Sequence, residues 1–299
     1  MASTITEFFG YAPKDQSSAA KQARARLECP FIRQTCAKTL NDGLVSGVCT
    51  ISQAKSGPVI CCPIRLYAQN YQILRDISDT AFGIGRELIA GSSIKDRVAK
   101  KDGNTFVAVF GKRWGKELRL PNRRKGGGGA YFVDWVLAEI DGHGQLLSFV
   151  AVEVQSIDTT GNYREEREAH LKGLASKPST AGFNWENVNK RILPQIIYKG
   201  HVLRQEPLCQ KGLFFVCPKP VYEKIMERLG GKLNPIHMQP GAVTIRWYDV
   251  GPPGAEGSIR ALEFGGQMTS TIDQIALAFT SPSNLPPPRV YEAAIVAEL

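Results

Sequence analysis

Two stretches of sequence decide the fold of this 299-residue chain: AYFVDWVLAEI at residues 130–140 and LLSFVAVEVQ at residues 146–155. In both, apolar and polar side chains alternate over several positions, as they do in β-strands. The five residues between them, DGHGQ, contain two glycines. Two alternating runs joined by a short Gly-containing turn predict a β-hairpin.

The predicted hairpin brings acidic side chains together. A two-residue loop at His143-Gly144 places Asp134 directly opposite Glu153, and neighbouring registers keep the two acids diagonal. Because side chains alternate along a strand, Glu153 and Gln155 point to one face. One acid from the first strand and an acid-x-polar pair from the second offer the oxygen ligands that Mg²⁺ prefers.

Carboxylates near hairpins are common, so the surroundings of these acids matter. Asp134 and Glu153 lie in runs so apolar that we expect both faces of the hairpin to be largely buried, and a buried charge needs a partner or a metal. Glu139 is five residues from Asp134 and therefore on the opposite face of the strand. We interpret Glu139 as a structural or solvent-facing residue.

Composition is that of a globular protein, with 43% hydrophobic and 22% charged residues and enough chain for an ample core. No run approaches 18 uninterrupted apolar residues, so no transmembrane helix is expected. The first residues lack a basic segment followed by an apolar one, so no secretory signal is expected. We therefore expect a cytoplasmic protein with reduced cysteines. The net charge of +9 favours a polyanionic partner such as nucleic acid.

Five of the seven cysteines are crowded near the amino terminus: Cys29, Cys36, Cys49, Cys61 and Cys62. In a reducing compartment this crowding indicates a tetrahedral thiolate site for zinc or iron, with a structural role. The alternative is a set of small buried hydrophobic residues. Strand alternation directs Cys61 and Cys62 to opposite sides, so only one of them should be a ligand. Cys209 and Cys217 are isolated and are interpreted as core residues.

The remaining periodicity predicts a mixed sheet with helices packed around it. Helices are expected at 17–26, 71–83, 93–101, 164–174, 187–204 (with a kink at Pro194), 222–229 and 271–280, and further strands at 105–110, 117–120, 213–216 and 243–247. The basic cluster Arg123, Arg124 and Lys125 precedes the glycine run 126–129. It is either a solvated turn or a cationic loop that clamps a phosphate beside the acids.

The chain resembles the NotI-type restriction endonucleases at landmarks that follow one another between about residues 5 and 230. The matching residues are Glu7-Phe8-Phe9-Gly10, Cys29-Pro30-Phe31, Gly47-Val48-Cys49, Cys62-Pro63, Glu117-Leu118, Asp134-Trp135 with Leu137-Ala138-Glu139, Glu153-Val154-Gln155, and Asn187-Val188 with Lys190-Arg191. The resemblance implies an α/β fold with a nuclease core of the PD-(D/E)xK type over residues 71–299. It also implies a four-cysteine metal-binding module over residues 1–70, and Mg²⁺-dependent cleavage of double-stranded DNA at a defined site by a homodimer.

The resemblance also assigns roles. Asp134 and Glu153 would hold the catalytic Mg²⁺, Gln155 would take the place of the usual lysine that orients the attacking water, and Glu117 would be an accessory acid. Cys29, Cys36, Cys49 and Cys62 would hold iron, although four cysteines accept zinc equally well and Cys61 competes with Cys62.

The basic residues Arg123, Arg124, Lys125, Lys190 and Arg191 are candidates for DNA contacts, to phosphates or to bases. Two other functions remain open. One is a sequence-specific DNA-binding protein with an inactive nuclease core, which the glutamine at position 155 permits. The other is a metal- or redox-sensing protein built on the cysteines.

Overall fold

A computed structural model describes residues 2–53, 56–112, 114, 117–118, 133–231, 233–281 and 286–299 of the chain. Within them the fold is mixed α/β, with a central seven-stranded sheet flanked by helices. The amino-terminal part contains five short strands and one helix: β1 (Ser3–Phe8), α1 (Ser18–Ala25), β2 (Glu28–Cys29), β3 (Gln34–Thr35), β4 (Val48–Gln53) and β5 (Ser56–Ile60). β1, β4 and β5 form a small antiparallel sheet in that order.

A 3₁₀ turn at Pro63–Tyr67 leads into the elements of the central sheet. These are α2 (Ala68–Phe82), β6 (Glu87–Ala90), α3 (Ile94–Val98), β7 (Phe106–Gly111), β8 (Trp135–Ile140) and β9 (Leu146–Val154). The next elements are β10 (Thr159–Thr160), α4 (Arg164–Leu171), β11 (Gly182–Phe183), a π-helical turn (Val188–Ile192) and α5 (Leu193–Leu203). The last are β12 (Leu213–Pro218), α6 (Lys219–Arg228), β13 (Ala242–Val250), β14 (Leu262–Thr271), α7 (Ile272–Thr280) and α8 (Val290–Glu298).

The central sheet has the strand order β14-β13-β12-β9-β8-β7-β6. Its middle strands β9, β12 and β13 run parallel to one another, whereas β8 is antiparallel to both β7 and β9. β9 is therefore covered by neighbours on both edges, and its side chains from Val150 to Val154 are all buried. The predicted mixed sheet is confirmed.

The hairpin predicted from the alternating stretches is β8 and β9. Trp135 pairs with Val152 and Glu139 with Ser148, which is the register that a two-residue loop at 143–144 requires. A bulge shifts the register next to Ile140, and Gly144 adopts a φ of 88°, a left-handed conformation that glycine adopts without strain. Residues 130–132 of the predicted first strand lie outside the described residues.

Most predicted helices and strands are observed with boundaries shifted by a few residues. Of the strand predicted at 117–120, the described residues Glu117 and Leu118 belong to no strand. The small amino-terminal sheet and the long edge strand β14 were not predicted, because polar residues and glycine interrupt the apolar positions of their sequences without a regular alternation. The expected kink at Pro194 is a change from π-helix to α-helix, with the proline in the first turn of α5 where its missing N–H is tolerated.

Buried apolar side chains of both sheets and of α2, α5 and α6 pack into one large core. Cys209 and Cys217 are fully buried in it, as expected. Among the described residues, no helix is long and apolar enough to cross a membrane.

Candidate active site

The hairpin register brings Asp134 and Glu153 to the same end of β8 and β9. Asp134 directly precedes β8, and since Trp135 pairs with Val152, the next position outward sets Asp134 opposite Glu153. The Asp134 carboxylate reaches across to β9, where its Oδ2 accepts a hydrogen bond of 2.8 Å from the backbone N–H of Val154. This bond holds Asp134 beside the Glu153 strand and leaves Oδ1 for other ligands.

An aromatic cluster anchors the start of β8 and with it the position of Asp134. The Trp135 ring packs edge-on against Tyr67 and Tyr71, and its indole N–H donates to the Tyr67 hydroxyl at 3.2 Å. On the neighbouring strand, Gly111 pairs with Trp135, and a β-carbon on that glycine would lie 2.2 Å from the indole ring. The absence of a side chain at Gly111 therefore makes room for the anchor.

Glu153 is buried, with 7% of its surface exposed, and its two oxygens have different surroundings. Oε1 lies 2.5 Å from Nζ of Lys199, whereas Oε2 is buried without a hydrogen-bond partner among the described residues. Burial and the negative charge of Asp134 raise the pKa of Glu153, Lys199 and the Asp134 backbone N–H lower it, and the net pKa is about 7. An unpaired buried carboxylate oxygen is costly, so this one calls for a ligand.

Asp134 was expected to be buried, but its side chain is exposed on one side. The protein atoms around its carboxylate still limit hydration and raise its pKa, while the Val154 N–H and Lys199 lower it. The charge of Glu117 also raises the pKa of Asp134, which places this exposed acid within electrostatic reach of the site.

Gln155 follows β9 directly and is half-buried. Its backbone N–H donates to the carbonyl of Val216 on β12 at 2.9 Å, so the strand pairing with β12 continues past the acids. Glu139, by contrast, contacts Arg86 at 3.1 Å and the Ser148 hydroxyl at 3.2 Å. These structural contacts agree with its interpretation as a residue outside the site.

Lys199 is the site residue that the sequence analysis missed. It lies on α5 between the buried residues Ile196 and Leu203, three positions after one and four before the other. A lysine on the apolar stripe of an amphipathic helix is a detectable signal, because such a charge must find a partner inside the protein. The identity of that partner could not be found from local sequence.

The donor set at this end of the sheet suits a small divalent cation. Asp134, Glu153 and Glu117 supply carboxylate oxygens, the ligand type that Mg²⁺ prefers, and Glu153 Oε2 is available. In the described part of the chain, however, no three His, Cys, Asp or Glu residues are already arranged as a closed cage around one point. Mg²⁺ commonly completes its shell with water and substrate phosphate, so an open set of carboxylates fits it.

The cysteine cluster is entirely buried, and its thiols influence one another. Burial is the main cause of the raised pKa of Cys49, and four neighbouring acidic groups raise it further: Cys62, Glu7, Cys29 and Cys36. The four predicted ligands therefore share one region. The cysteines are free thiols, and within the described part of the chain no three of them are arranged around one point. Their donor chemistry fits a metal ion, whereas their positions are not closed around one.

Cys61 differs from its neighbour Cys62 in its contacts. Its Sγ lies 3.3 Å from Nζ of Lys38, and the same ammonium donates to the Cys61 carbonyl at 2.8 Å. Burial, Cys36 and Cys61 raise the pKa of Cys62, Lys38 lowers it, and the net pKa is about 12. Cys61 is therefore the cysteine in direct contact with Lys38, whereas Cys62 is close enough to Cys36 for that thiol to affect its pKa.

Two of the predicted DNA-contacting residues are described, and both are exposed on the π-helical turn before α5. Lys190 lies 3.5 Å from Glu186, and Arg191 lies 3.1 Å from Asp158. Asp158 follows Gln155 by three residues, so Arg191 lies near the carboxyl end of β9, where the acids are. Arg123, Arg124 and Lys125 lie outside the described residues.

The fold and the acid pair define the class of this protein as an α/β enzyme with an acidic, lysine-paired site at one end of its central sheet. The family described as Restriction endonuclease NotI matches residues 14–227, which is more than half of the chain. The chain therefore belongs to the NotI restriction endonuclease family, whose members are deoxyribonucleases that cleave DNA at specific sequences. The comparison with curated proteins found no match.

Proposed function

We propose that the chain is a type II restriction endonuclease that cleaves double-stranded DNA by Mg²⁺-dependent hydrolysis. Its nuclease core would be of the PD-(D/E)xK type, with Gln155 in the place of the lysine of that motif. The observation that carries this proposal is the buried Oε2 of Glu153, which lies opposite Asp134 and has no hydrogen-bond partner among the described residues. Family membership supports the DNA substrate and the hydrolytic activity.

In this proposal Asp134 and Glu153 hold Mg²⁺, and Glu117 contributes from the edge of the site. The ion would act as a Lewis acid on the phosphate and lower the pKa of a water. Gln155 orients the attacking water by hydrogen bonding, because an amide carries no charge and no acidic proton. The water oxygen forms a bond to phosphorus as the bond to the leaving oxygen breaks; the water gives up a proton to the solvent, and the leaving oxygen takes up a proton from the solvent.

DNA is proposed to lie across the acidic end of the sheet, contacted by Lys190 and Arg191 and by the cluster Arg123, Arg124 and Lys125. Exposed ion pairs such as that of Arg191 are weak, so phosphate can replace the carboxylate partner. Cleavage of both strands of a palindrome is most simply achieved by a two-fold homodimer, which we propose as the active form. We also retain the proposals of a cytoplasmic location and of two units, residues 1–70 and 71–299.

We propose further that Cys29, Cys36, Cys49 and Cys62 hold one structural iron or zinc ion. The burial of all four thiols and their mutual effect on the pKa of Cys49 support this set. The contacts of Cys61 with Lys38 favour Cys62 as the fourth ligand. Metal binding would require deprotonation of the thiols, among them Cys49 and Cys62 whose pKa is raised, and metal binding supplies that free energy. Elemental analysis of the purified protein tests this proposal, which requires about one iron or zinc per chain.

Digestion of a large sequenced DNA tests the catalytic proposal. Discrete fragments that share one end sequence should form with Mg²⁺ and should be absent with EDTA. Glu153→Ala should abolish cleavage and retain DNA binding, whereas Glu139→Ala on the opposite face of the hairpin should cleave normally. Sequence-specific binding without cleavage on templates of differing methylation would favour the inactive-core alternative. Metal binding without any DNA affinity would favour the sensor.

A further inference from the structure

One positively charged side chain in the acidic site, that of Lys199, comes from helix α5 and not from the strand that carries the motif. The Lys199 ammonium lies 2.5 Å from Glu153 Oε1, and the two side chains are 17% and 10% exposed. Lys199 also lowers the pKa of Asp134, so its charge acts on both acids.

The placement of Lys199 is costly for the fold. It lies on the side of α5 that packs on the sheet, between Ile196 and Leu203, where an apolar residue would pack without desolvating a charge. Buried ion pairs are often no more stabilising than well-packed apolar residues. A purely structural account therefore explains Lys199 only as the counter-charge of the buried Glu153, an acid that an apolar core would not itself require.

Gln155, which is uncharged, occupies the strand position of the lysine in the PD-(D/E)xK motif. An ammonium has three N–H donors, and the Glu153 carboxylate engages one of them among the described contacts. The other donors can reach a phosphate oxygen or the attacking water, which must lie beside the same two carboxylates.

We propose that Lys199 replaces the missing strand lysine and acts as a positioning residue that holds Glu153, the attacking water and the scissile phosphate in register. This inference rests on the proposed nuclease function. In the hydrolysis described above, its charge offsets the negative charge that accumulates on phosphate oxygens as the P–O bond to water forms.

The test moves the lysine from the helix to the strand. Single-turnover cleavage in Mg²⁺ is compared for the wild type, Lys199→Met, Gln155→Lys and the double variant Gln155→Lys/Lys199→Met. Removal of one electrostatic contact from such a site costs about 10²–10³-fold in rate. We expect Lys199→Met to lose at least about a hundredfold and the double variant to regain at least tenfold. Lys224→Gln on the exposed face of α6 removes the same charge and should leave the rate unchanged.

A second readout separates positioning from a structural role. Lys199→Met leaves the Glu153 carboxylate without its counter-charge, so its unfolding midpoint should fall in EDTA. Because methionine fills an apolar position on a helix, the variant should still fold and keep its affinity for DNA in Ca²⁺, where binding is measured without cleavage. If this variant is instead unstable, Lys199→Arg provides the comparison, because it retains the charge and should retain more activity than Lys199→Met.

The outcomes distinguish the inference from the function on which it rests. A wild type that cleaves and a folded Lys199→Met that cleaves at the same rate would overturn the inference and leave the nuclease proposal intact. A double variant no faster than Lys199→Met would also overturn it. A wild type that binds DNA and never cleaves would refute the proposed function itself.

Discussion

In the metal-free protein, the stability of Glu153→Gln relative to the wild type should increase with pH. The pKa of Glu153 is raised from 4.5 to about 7 by burial and by Asp134, so ionisation of this carboxyl opposes folding. Stability is fully retained below the unfolded pKa and is lost as pH rises from about 4.5 to about 7. Since one pKa unit corresponds to about 1.4 kcal/mol, the full loss is about 3 kcal/mol, of which most accrues between pH 5 and pH 8.

Urea unfolding in EDTA at pH 5 and pH 8 measures this effect. The stability of Glu153→Gln relative to wild type should increase by about 2–3 kcal/mol between the two pH values. Glu139→Gln is the matched control, because it removes the same charge from the same hairpin on the opposite face. Added Mg²⁺ at pH 8 should stabilise the wild type and have a smaller effect on Glu153→Gln, since the amide no longer offers an anionic ligand.

An equal stability difference at pH 5 and pH 8 would refute this reasoning. It would mean that Glu153 ionises at its ordinary pH in the folded protein. An equal gain in relative stability for Glu139→Gln would instead show that the effect arises from the change in net charge.

Three further perturbations test other parts of the structure. Gly111→Val should destabilise the protein by about 1–3 kcal/mol in urea unfolding, because its side chain would overlap the Trp135 ring; an unchanged midpoint would contradict the contact. Cys62→Ser should lose bound iron or zinc in elemental analysis while Cys61→Ser retains it, and the reverse result would exchange their roles. Arg191→Ala should weaken DNA binding and reduce the slope of log affinity against log salt by about 1, whereas an unchanged slope would exclude a phosphate contact.

The sequence predicted the centre of the sheet correctly because the pattern that specifies these strands lies within a short stretch of sequence. Alternation over residues 133–140 and 146–155, with a short loop between them, specifies which faces are buried and sets the register that brings Asp134 opposite Glu153. The small sheet of β1, β4 and β5 was not foreseen, because β1 pairs with a strand far away in sequence and the neighbouring β4–β5 hairpin lacks a regular alternation of apolar and polar residues.

Sequence alone therefore determined the hairpin, the pairing of its two acids, the crowding of cysteines and the family resemblance. Tertiary structure decided that Asp134 is exposed while Glu153 is buried, that Cys61 contacts Lys38, and that Lys199 joins the acids. The physical reason is that alternation is encoded within a few residues, whereas burial and ion pairing depend on which distant elements pack together. Only the packing of α5 beside β9 and β12 reveals that the charge absent from Gln155 is present in the same site.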